Sequence, residues 1–174
     1  MAQKYRILAV CTGNICRSPM AEYMINRELE RVGLDDLATA DSAGIERWEV
    51  GSSIDRRAAA VLDAQGIDPA DHRARQLHPE WLVERDLVLA LDNGHLDAMR
   101  RMMAGENEAS KIQLLRSFDP SSPADGAEAD LSIADPWYGN LEDFEVTWDQ
   151  IDAALPGIVE FVRSQVADRE EERA

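Results

Sequence analysis

Short apolar runs alternate along this chain with segments in which apolar residues recur every three or four positions. The runs are typical of strands buried on both faces, and the recurring residues are typical of amphipathic helices. This alternation predicts an α/β protein in which helices cover both faces of a parallel sheet. Four strands are predicted, at residues 5–10, 37–41, 86–91 and 111–115.

Helical stripes follow these strands. Gly33 and Gly66 are stop signals for the first two helices, and residues 80–84 are predicted to form a short helical turn. Pro156 and Gly157 interrupt the last stripe without changing its phase, which predicts one kinked helix rather than two. The stripes comprise Ala21, Ile25, Leu29 and Val32; Ala58, Val61 and Leu62; Leu96, Met99 and Met103; and Phe144, Trp148, Ile151, Leu155, Ile158, Val162 and Val166.

The length of the chain limits its organisation to one domain. Its 174 residues are 45% hydrophobic, which suffices for one packed core and leaves little room for a second. We predict a domain over residues 1–166 and a charged, flexible tail over residues 167–174. Residues 117–134 lose helical and strand periodicity and are rich in Asp, Pro, Ser and Ala, so they are predicted to form a long surface loop.

Charge argues against several classes of partner. Eighteen Lys and Arg residues against 34 Asp and Glu give a formal net charge of −16, so a nucleic acid or an anionic membrane is not expected as partner. No secretory leader or membrane-spanning run is recognisable, which predicts a cytoplasmic protein and leaves export without a signal peptide open. A monomer, or weak self-association, is expected.

The run CTGNICRS directly after the first predicted strand carries the chemistry. It places the thiol of Cys11 and the guanidinium of Arg17 on either side of five residues, in which Gly13 allows close backbone approach and Asn14 tolerates a positive φ. Successive N–H groups in such a loop form an anion-binding nest, whose field also favours a thiolate. Ser18 is predicted to cap the next helix, with Pro19 at its first position. We predict a phosphate site with a nucleophile at its floor.

The reaction that these residues suit is phosphoryl transfer. The Cys11 thiolate would attack phosphorus to give a phosphocysteine, while Arg17 and the N–H groups of residues 12–17 bind the phosphoryl oxygens. No metal or other cofactor is required. Both cysteines, Cys11 and Cys16, lie inside the loop, which indicates catalytic or redox use rather than a structural disulfide.

Motifs along nearly the whole chain resemble the low-molecular-weight protein tyrosine phosphatases. CTGNICRSPMAE is similar to the signature of that family and DPWYG, at residues 135–139, to its second motif; DSAG, W-x-V-G and DHRARQL lie between them in the family's order. The resemblance implies a four-stranded parallel sheet and hydrolysis of phosphotyrosine in proteins, or of small aryl phosphates. It also implies that Asp135 protonates the leaving group and later deprotonates water, on a loop stiffened by Pro136.

The same resemblance implies the remaining roles. A network of Asn14, Ser18, Ser42 and His72 would hold the loop, with the Ser18 hydroxyl stabilising the thiolate, and Cys16 would form a protective disulfide with Cys11. The substrate would be bound by the loop and by aromatic walls; these residues are Thr12, Gly13, Asn14, Ile15, Cys16, Ser18, Trp48, Trp137 and Tyr138.

Two departures and two alternatives accompany this hypothesis. Trp137 stands where the family commonly has Tyr, and His95 where it often has Asn. A thioredoxin-coupled arsenate reductase would use a similar loop but needs further cysteines, and none follows Cys16. A non-catalytic phosphate-binding or phosphocarrier module would need the nest without an acid, so the DPWYG motif argues against it.

Overall fold

The fold is built on four parallel strands, as the sequence predicts. The computed structural model describes residues 3–103, 109–122 and 130–173. The strands lie in the order β2-β1-β3-β4. Their bounds are β1 Tyr5–Cys11, β2 Ala38–Gly44, β3 Leu87–Ala90 and β4 Ile112–Leu114.

Side chains of β1 alternate between two buried cores. Ile7, Ala9 and Cys11 pack on one face of the sheet, and Leu8 and Val10 pack on the other. Because both faces are buried, the run is apolar throughout rather than alternating. Helices α1 Arg17–Arg31, α2 Arg56–Ala64 and α5 Leu141–Arg173 supply the first core, and α3 Pro79–Glu84 and α4 Asn93–Met102 supply the second.

The start of α1 differs from the prediction. The helix begins at Arg17 with Cys16 as its N-cap, so the prediction of Ser18 as the cap is wrong. The Ser18 hydroxyl lies among Cys11, Asn14 and the Ala43 carbonyl, and is therefore not available to a free N–H of the first turn. The helix ends just before Gly33, as predicted. Gly33 has a φ of 72°, which residues with side chains disfavour.

Helix α5 is one helix through Pro156, as the unbroken stripe predicts. Gly157 allows a neighbouring segment to pack there: a Cβ at this position would lie 1.8 Å from the carbonyl oxygen of Phe118, at the end of the 3₁₀ turn Leu115–Phe118. Residues 167–173, predicted to be a flexible tail, continue the helix in the structure. The reason is a tertiary contact, since Arg169 bonds to Asp86.

The polypeptide returns to the sheet before Asp135. The middle of the predicted surface loop, residues 123–129, lies outside the described residues; the Ile133 N–H then donates to the Leu91 carbonyl at 2.8 Å. A 3₁₀ turn, Pro136–Tyr138, follows. Residues 133–139, here called the Asp135 loop, thus lie beyond the carboxyl end of β3. Strand order reverses between β1 and β3, which is where open α/β sheets bind ligands.

Candidate active site

Residues 11–17, the Cys11 loop, join β1 to α1 with their carbonyl groups turned into the protein. The Thr12 carbonyl accepts from the Glu46 N–H at 2.9 Å, the Ile15 carbonyl from the Asp55 N–H at 2.8 Å, and the Asn14 carbonyl from His72 Nε2 at 2.7 Å. A trans peptide directs its N–H opposite to its C=O. The N–H groups that follow these carbonyls therefore point toward the inside of the loop, as an anion nest requires.

The Cys11 thiol is buried at the start of this loop. Its Sγ lies 2.9 Å from Ser18 Oγ, and only 3% of the residue is exposed. Asn14 lies beside it with φ at 60°, in the left-handed region where asparagine is tolerated. Asn14 Nδ2 donates to Ser18 Oγ and to Ser42 Oγ, both at 2.9 Å. Since Ser18 Oγ accepts from Asn14, its own proton has two possible acceptors, the Cys11 sulfur at 2.9 Å and the Ala43 carbonyl oxygen at 3.3 Å.

A half-buried carboxylate extends this set of hydrogen bonds. The Ser42 hydroxyl donates to Glu22, a side chain that sequence reasoning missed. Burial raises the pKa of Glu22, which the hydrogen bond from Ser42 opposes. Because the Ser42 hydroxyl donates its hydrogen bond to Glu22, the Ser42 oxygen accepts the one from Asn14.

Two residues of the 71–77 segment complete the support. His72 donates to the Asn14 carbonyl, and the Arg75 N–H donates to Asn14 Oδ1 at 3.0 Å. Burial lowers the pKa of His72, so the ring is neutral near pH 7 and its Nε2 carries a proton for this bond. The structure therefore brings Asn14, Ser18, Ser42 and His72 together, as predicted from the family resemblance.

Arg17 is buried and has acidic and backbone partners. Its Nη1 donates to Asp92 Oδ2 and to the Ile133 carbonyl, both at 2.8 Å. Its Nη2 lies 3.4 Å from Asp135 Oδ2 and 3.5 Å from Thr12 Oγ1. The guanidinium thus joins the Cys11 loop to the Asp135 loop.

His95 stands next to this cluster. Its Nε2 lies 2.9 Å from Thr12 Oγ1, and its Nδ1 lies 3.1 Å from Asp92 Oδ1. Burial lowers the pKa of His95 to about 4, and the charge of Arg17 adds to this, although Asp92 and Asp135 act in the opposite direction. A neutral imidazole therefore positions Thr12 at the rim of the loop.

The cavity above Cys11 has a volume of about 240 Å³. Three of its walls are the predicted aromatic side chains, which are largely exposed: 75% for Trp48, 50% for Trp137 and 84% for Tyr138. The rings of Trp137 and Tyr138 meet edge to face, with centroids 4.9 Å apart. The other lining residues are Cys11, Thr12, Gly13, Ile15, Cys16, Arg17, Glu49 and Asp135.

Both cysteines of the loop are free and buried. Burial raises the pKa of the Cys16 thiol well above its ordinary value, and the negative charges of Asp55, Cys11 and Asp135 raise it further. Cys16 is therefore a protonated thiol at neutral pH and does not compete as a nucleophile.

Neither a metal cluster nor a membrane span is found in the described ranges. Among residues 3–103, 109–122 and 130–173, no three His, Cys, Asp or Glu side chains are placed to hold a metal ion. Within the same ranges, every helix is too short or too polar to cross a bilayer.

Sequence reasoning missed several residues that shape the site. Asp92 could have been found, because it follows β3 at the strand switch point, beside Cys11 at the end of β1. Gly44 gives no such signal, yet a Cβ there would lie 2.8 Å from the Thr12 carbonyl oxygen. Arg57 gives none either; it bonds to carbonyls of the Asp135 loop.

Comparisons with known proteins agree with this geometry. The family model for low molecular weight phosphotyrosine protein phosphatase matches residues 6–168. A Streptomyces coelicolor low molecular weight protein-tyrosine-phosphatase is 46% identical over 165 residues, covering 95% of this chain and 98% of the relative.

Solved structures give the same result. The low molecular weight protein tyrosine phosphatase from T. tengcongensis is 35% identical with a TM-score of 0.76, over 89% of this chain and 97% of that one. Vibrio vulnificus Wzb in complex with benzylphosphonate is 26% identical with a TM-score of 0.72, over 93% and 99%. The chain therefore belongs to the low molecular weight phosphotyrosine protein phosphatase family.

Proposed function

We propose that this protein hydrolyses phosphotyrosine monoesters through a phosphocysteine on Cys11. The observation that carries the proposal is the position of the Cys11 sulfur, 2.9 Å from Ser18 Oγ, at a cavity formed by the Cys11 loop. A thiolate held there is aimed at any phosphoryl group that the loop binds, and needs no metal to attack it.

Arg17 binds the phosphoryl oxygens in this proposal. Its Nη1 donates to Asp92 and Ile133 at 2.8 Å, whereas the contacts of Nη2 with Asp135 and Thr12 are longer, at 3.4 and 3.5 Å. The edge formed by Nε and Nη2 is therefore the one that binds the substrate. A planar fork matches two oxygens at once, and the inward N–H groups of the loop stabilise the charge that develops on them.

In the first step a bond forms between Cys11 Sγ and phosphorus while the bond from phosphorus to the aryl oxygen breaks. The Asp135 carboxyl gives its proton to the departing oxygen, which is a poor leaving group otherwise. The Asp135 carboxyl lies close enough to a phosphoryl group bound by Arg17, since its Oδ2 is 3.4 Å from Arg17 Nη2.

In the second step water attacks phosphorus and the sulfur leaves as a thiolate. Asp135 takes the proton from the water, and the Ser18 hydroxyl stabilises the departing thiolate. Asn14 donates to the Ser18 oxygen, so the Ser18 proton is directed away from Asn14, toward the Cys11 sulfur at 2.9 Å and the Ala43 carbonyl at 3.3 Å.

The cavity walls support an aryl substrate. Trp48, Trp137 and Tyr138 surround the entrance, so a phenyl ring would contact them while its phosphate reaches Cys11. A phosphoserine side chain is shorter than phosphotyrosine, and we expect it not to reach Cys11 from the same entrance. The benzylphosphonate bound by Vibrio vulnificus Wzb likewise joins a phenyl ring to a tetrahedral phosphorus group. A cytoplasmic location and a monomeric or weakly associating state stay predictions.

The decisive experiment is metal-free hydrolysis of phosphotyrosine, phosphoserine and p-nitrophenyl phosphate by wild type, Cys11→Ser and Asp135→Asn. We expect no activity from Cys11→Ser, and a loss of about 10²–10⁴-fold from Asp135→Asn that is smallest for the activated nitrophenyl ester. Acid quenching should trap phosphorus on Cys11. Activity in Cys11→Ser would contradict the covalent mechanism; arsenate reduction, or stable phosphorylation without turnover, would favour the two alternatives.

Cys16 is proposed to protect Cys11 from oxidation. Peroxide would convert Cys11 to a sulfenic acid, and the Cys16 thiol would condense with it to a disulfide with loss of water. A thiol reductant should then restore activity, less completely in Cys16→Ser. Equal recovery in the two proteins would reduce Cys16 to a packing residue.

A further inference from the structure

One guanidinium connects the Cys11 loop to the Asp135 loop from outside the cavity. Arg57, in the first turn of α2, donates through Nη1 to the Gly139 carbonyl at 2.8 Å and to the Trp137 carbonyl at 3.2 Å. Its Nη2 also donates to the Trp137 carbonyl at 3.2 Å. Trp137 is the middle residue of the 3₁₀ turn that Asp135 caps, and Gly139 directly follows that turn.

The guanidinium is itself held in place. Asp55 accepts from Arg57 Nε at 3.0 Å and from Nη2 at 2.8 Å, in a paired arrangement. The Phe144 ring of α5 lies beneath, 4.6 Å from the Arg57 Cζ. Each of the five side-chain N–H bonds therefore has an oxygen acceptor, so the orientation is determined.

Asp55 extends the connection to the Cys11 loop. Its N–H donates to the Ile15 carbonyl at 2.8 Å, and its side chain caps α2 by accepting from the Arg57 N–H. A continuous path of hydrogen bonds thus runs from Ile15 through Asp55 and Arg57 to Trp137.

The Asp135 loop has little burial of its own at this end. Pro136 is buried, but half of Trp137 and 84% of Tyr138 are exposed, so side-chain packing holds the start of the turn and not its end. Arg17 and Leu91 form hydrogen bonds with Ile133, which precedes the turn. Arg57 forms a hydrogen bond with Gly139, which follows the turn. Loss of Arg57 would leave the carbonyls of Trp137 and Gly139 without their cation.

We propose that Arg57 is a positioning residue that holds the Asp135 carboxyl over the Cys11 sulfur, with Asp55 orienting its guanidinium. This inference rests on the proposed role of Asp135 as the acid. A misplaced acid slows only reactions whose leaving group needs a proton, so the effect depends on the ester.

The test compares Arg57→Ala and Arg57→Lys on two esters, phenyl phosphate and 2,4-dinitrophenyl phosphate. We expect kcat/KM for phenyl phosphate to fall about 10–100-fold in Arg57→Ala, and that for the dinitrophenyl ester to fall less than about threefold. Lys keeps the charge without the fork, so it should rescue only partly. Arg56→Ala, an exposed neighbour in the same helix turn, is the matched control and should behave as wild type.

A double-mutant cycle separates positioning from general support. On the Asp135→Asn background, Arg57→Ala should cost less than about twofold, because its effect acts through the missing carboxyl. Inhibition by inorganic phosphate, which reports on the Cys11 loop, should change less than twofold. Equal losses for both esters, or additive losses in the double mutant, would overturn the proposal.

Separate outcomes would exclude the role of Asp135 and the role of Arg57. If Asp135→Asn shows no dependence on the leaving group, the proposed acid is wrong. If Asp135→Asn shows it and a folded Arg57→Ala or Arg57→Lys does not, only the role of Arg57 is wrong. Thermal unfolding identifies a variant that has not folded, and Arg57→Lys then carries the test.

Discussion

His95 is buried between Thr12 and Asp92, and its protonation is set by that burial. Water cannot reach the ring to stabilise a charge, and Arg17 nearby repels a second cation. Asp92 lies 3.1 Å from Nδ1 but does not outweigh these effects. The ring is therefore neutral in the folded protein at pH values where an unfolded chain would already protonate it.

This arrangement predicts an acid-sensitive fold. The pKa of His95 is about 4 when folded and about 6.5 when unfolded, so the unfolded chain binds more protons between these values and stability falls as the pH drops through them. Relative to His95→Asn, the wild type should lose about 3 kcal/mol more between pH 7 and pH 4. Urea unfolding at a series of pH values measures this difference, and parallel curves for the two proteins would contradict it.

The Cys11 loop packs against the end of β2. Gly44 pairs with Cys11 in the sheet, and its missing side chain lets the loop approach. An added Cβ would lie 2.8 Å from the Thr12 oxygen and 3.1 Å from the Asn14 nitrogen, and both are backbone atoms that cannot rotate away. Loop and strand therefore form one unit.

Gly44→Ala should displace the loop. We expect a loss of about 1–3 kcal/mol in stability and at least about a tenfold loss in kcat/KM, because the N–H groups lose their alignment. The control is Gly33→Ala, at a φ of 72° with open space around it, which should cost about 1 kcal/mol without changing kcat/KM. Denaturant unfolding and p-nitrophenyl phosphate turnover measure both effects; equal activity in the two variants would be inconsistent with this account.

The last turns of α5 contact the amino-terminal end of the two central strands, β1 and β3. Arg169 Nη2 lies 2.6 Å from Asp86 Oδ1, and its guanidinium lies 4.7 Å from the centre of the Tyr5 ring. Asp86 also accepts from the Arg6 N–H at 2.7 Å. These contacts lie at the start of β1, whereas Cys11 ends that strand.

Arg169→Ala should therefore affect stability without affecting catalysis. The pair is partly exposed, so we expect about 1 kcal/mol and a fall in Tm of about 2–4 °C, with kcat/KM within twofold. Arg163→Ala is the control, because Arg163 is more exposed and lies 3.8 Å from an exposed Glu160. Thermal melts decide the question: an unchanged Tm for Arg169→Ala would mean that the helix end is not held by this contact.

Charge acts on the molecule as a whole. A formal net charge of −16 repels an anionic substrate at long range, although Arg17 and the inward N–H groups attract its phosphate at contact. The long-range part is screened beyond a Debye length of about 8 Å at physiological salt. The net negative charge therefore opposes the approach of the substrate, whereas the positive groups of the site favour its binding.

This predicts a preference for basic phosphopeptides that salt weakens. At low ionic strength, kcat/KM for a lysine-flanked phosphotyrosine peptide should exceed that for a glutamate-flanked one, and the ratio should fall as sodium chloride is raised to about 0.15 M. The kcat values should change little. A ratio that does not respond to salt would attribute the preference to contacts near the cavity instead.

The fold was predictable because its signals are local. The buried strands are continuous apolar runs, the helices carry stripes, and Gly33 ends α1 where the stripe ends. Where the structure departs from these local signals, the cause is a tertiary contact. Ser18 has the right type for an N-cap, but tertiary contacts with Cys11 and Asn14 use its hydroxyl instead. The helical end of α5 depends on Asp86, which is distant in the chain.

Adjacent residues of the chain were enough to predict the Cys11 loop, since nucleophile, glycine, cation and helix start all lie within a few positions. Asp135 was found through a family motif rather than through any local signal. Glu22 and Arg57 became visible only when the chain had folded, because hydrogen-bond direction and charge pairing depend on distances between segments far apart in sequence. Pattern along a chain determines which surfaces are buried, whereas the contacts across those surfaces determine where each proton and each charge lies.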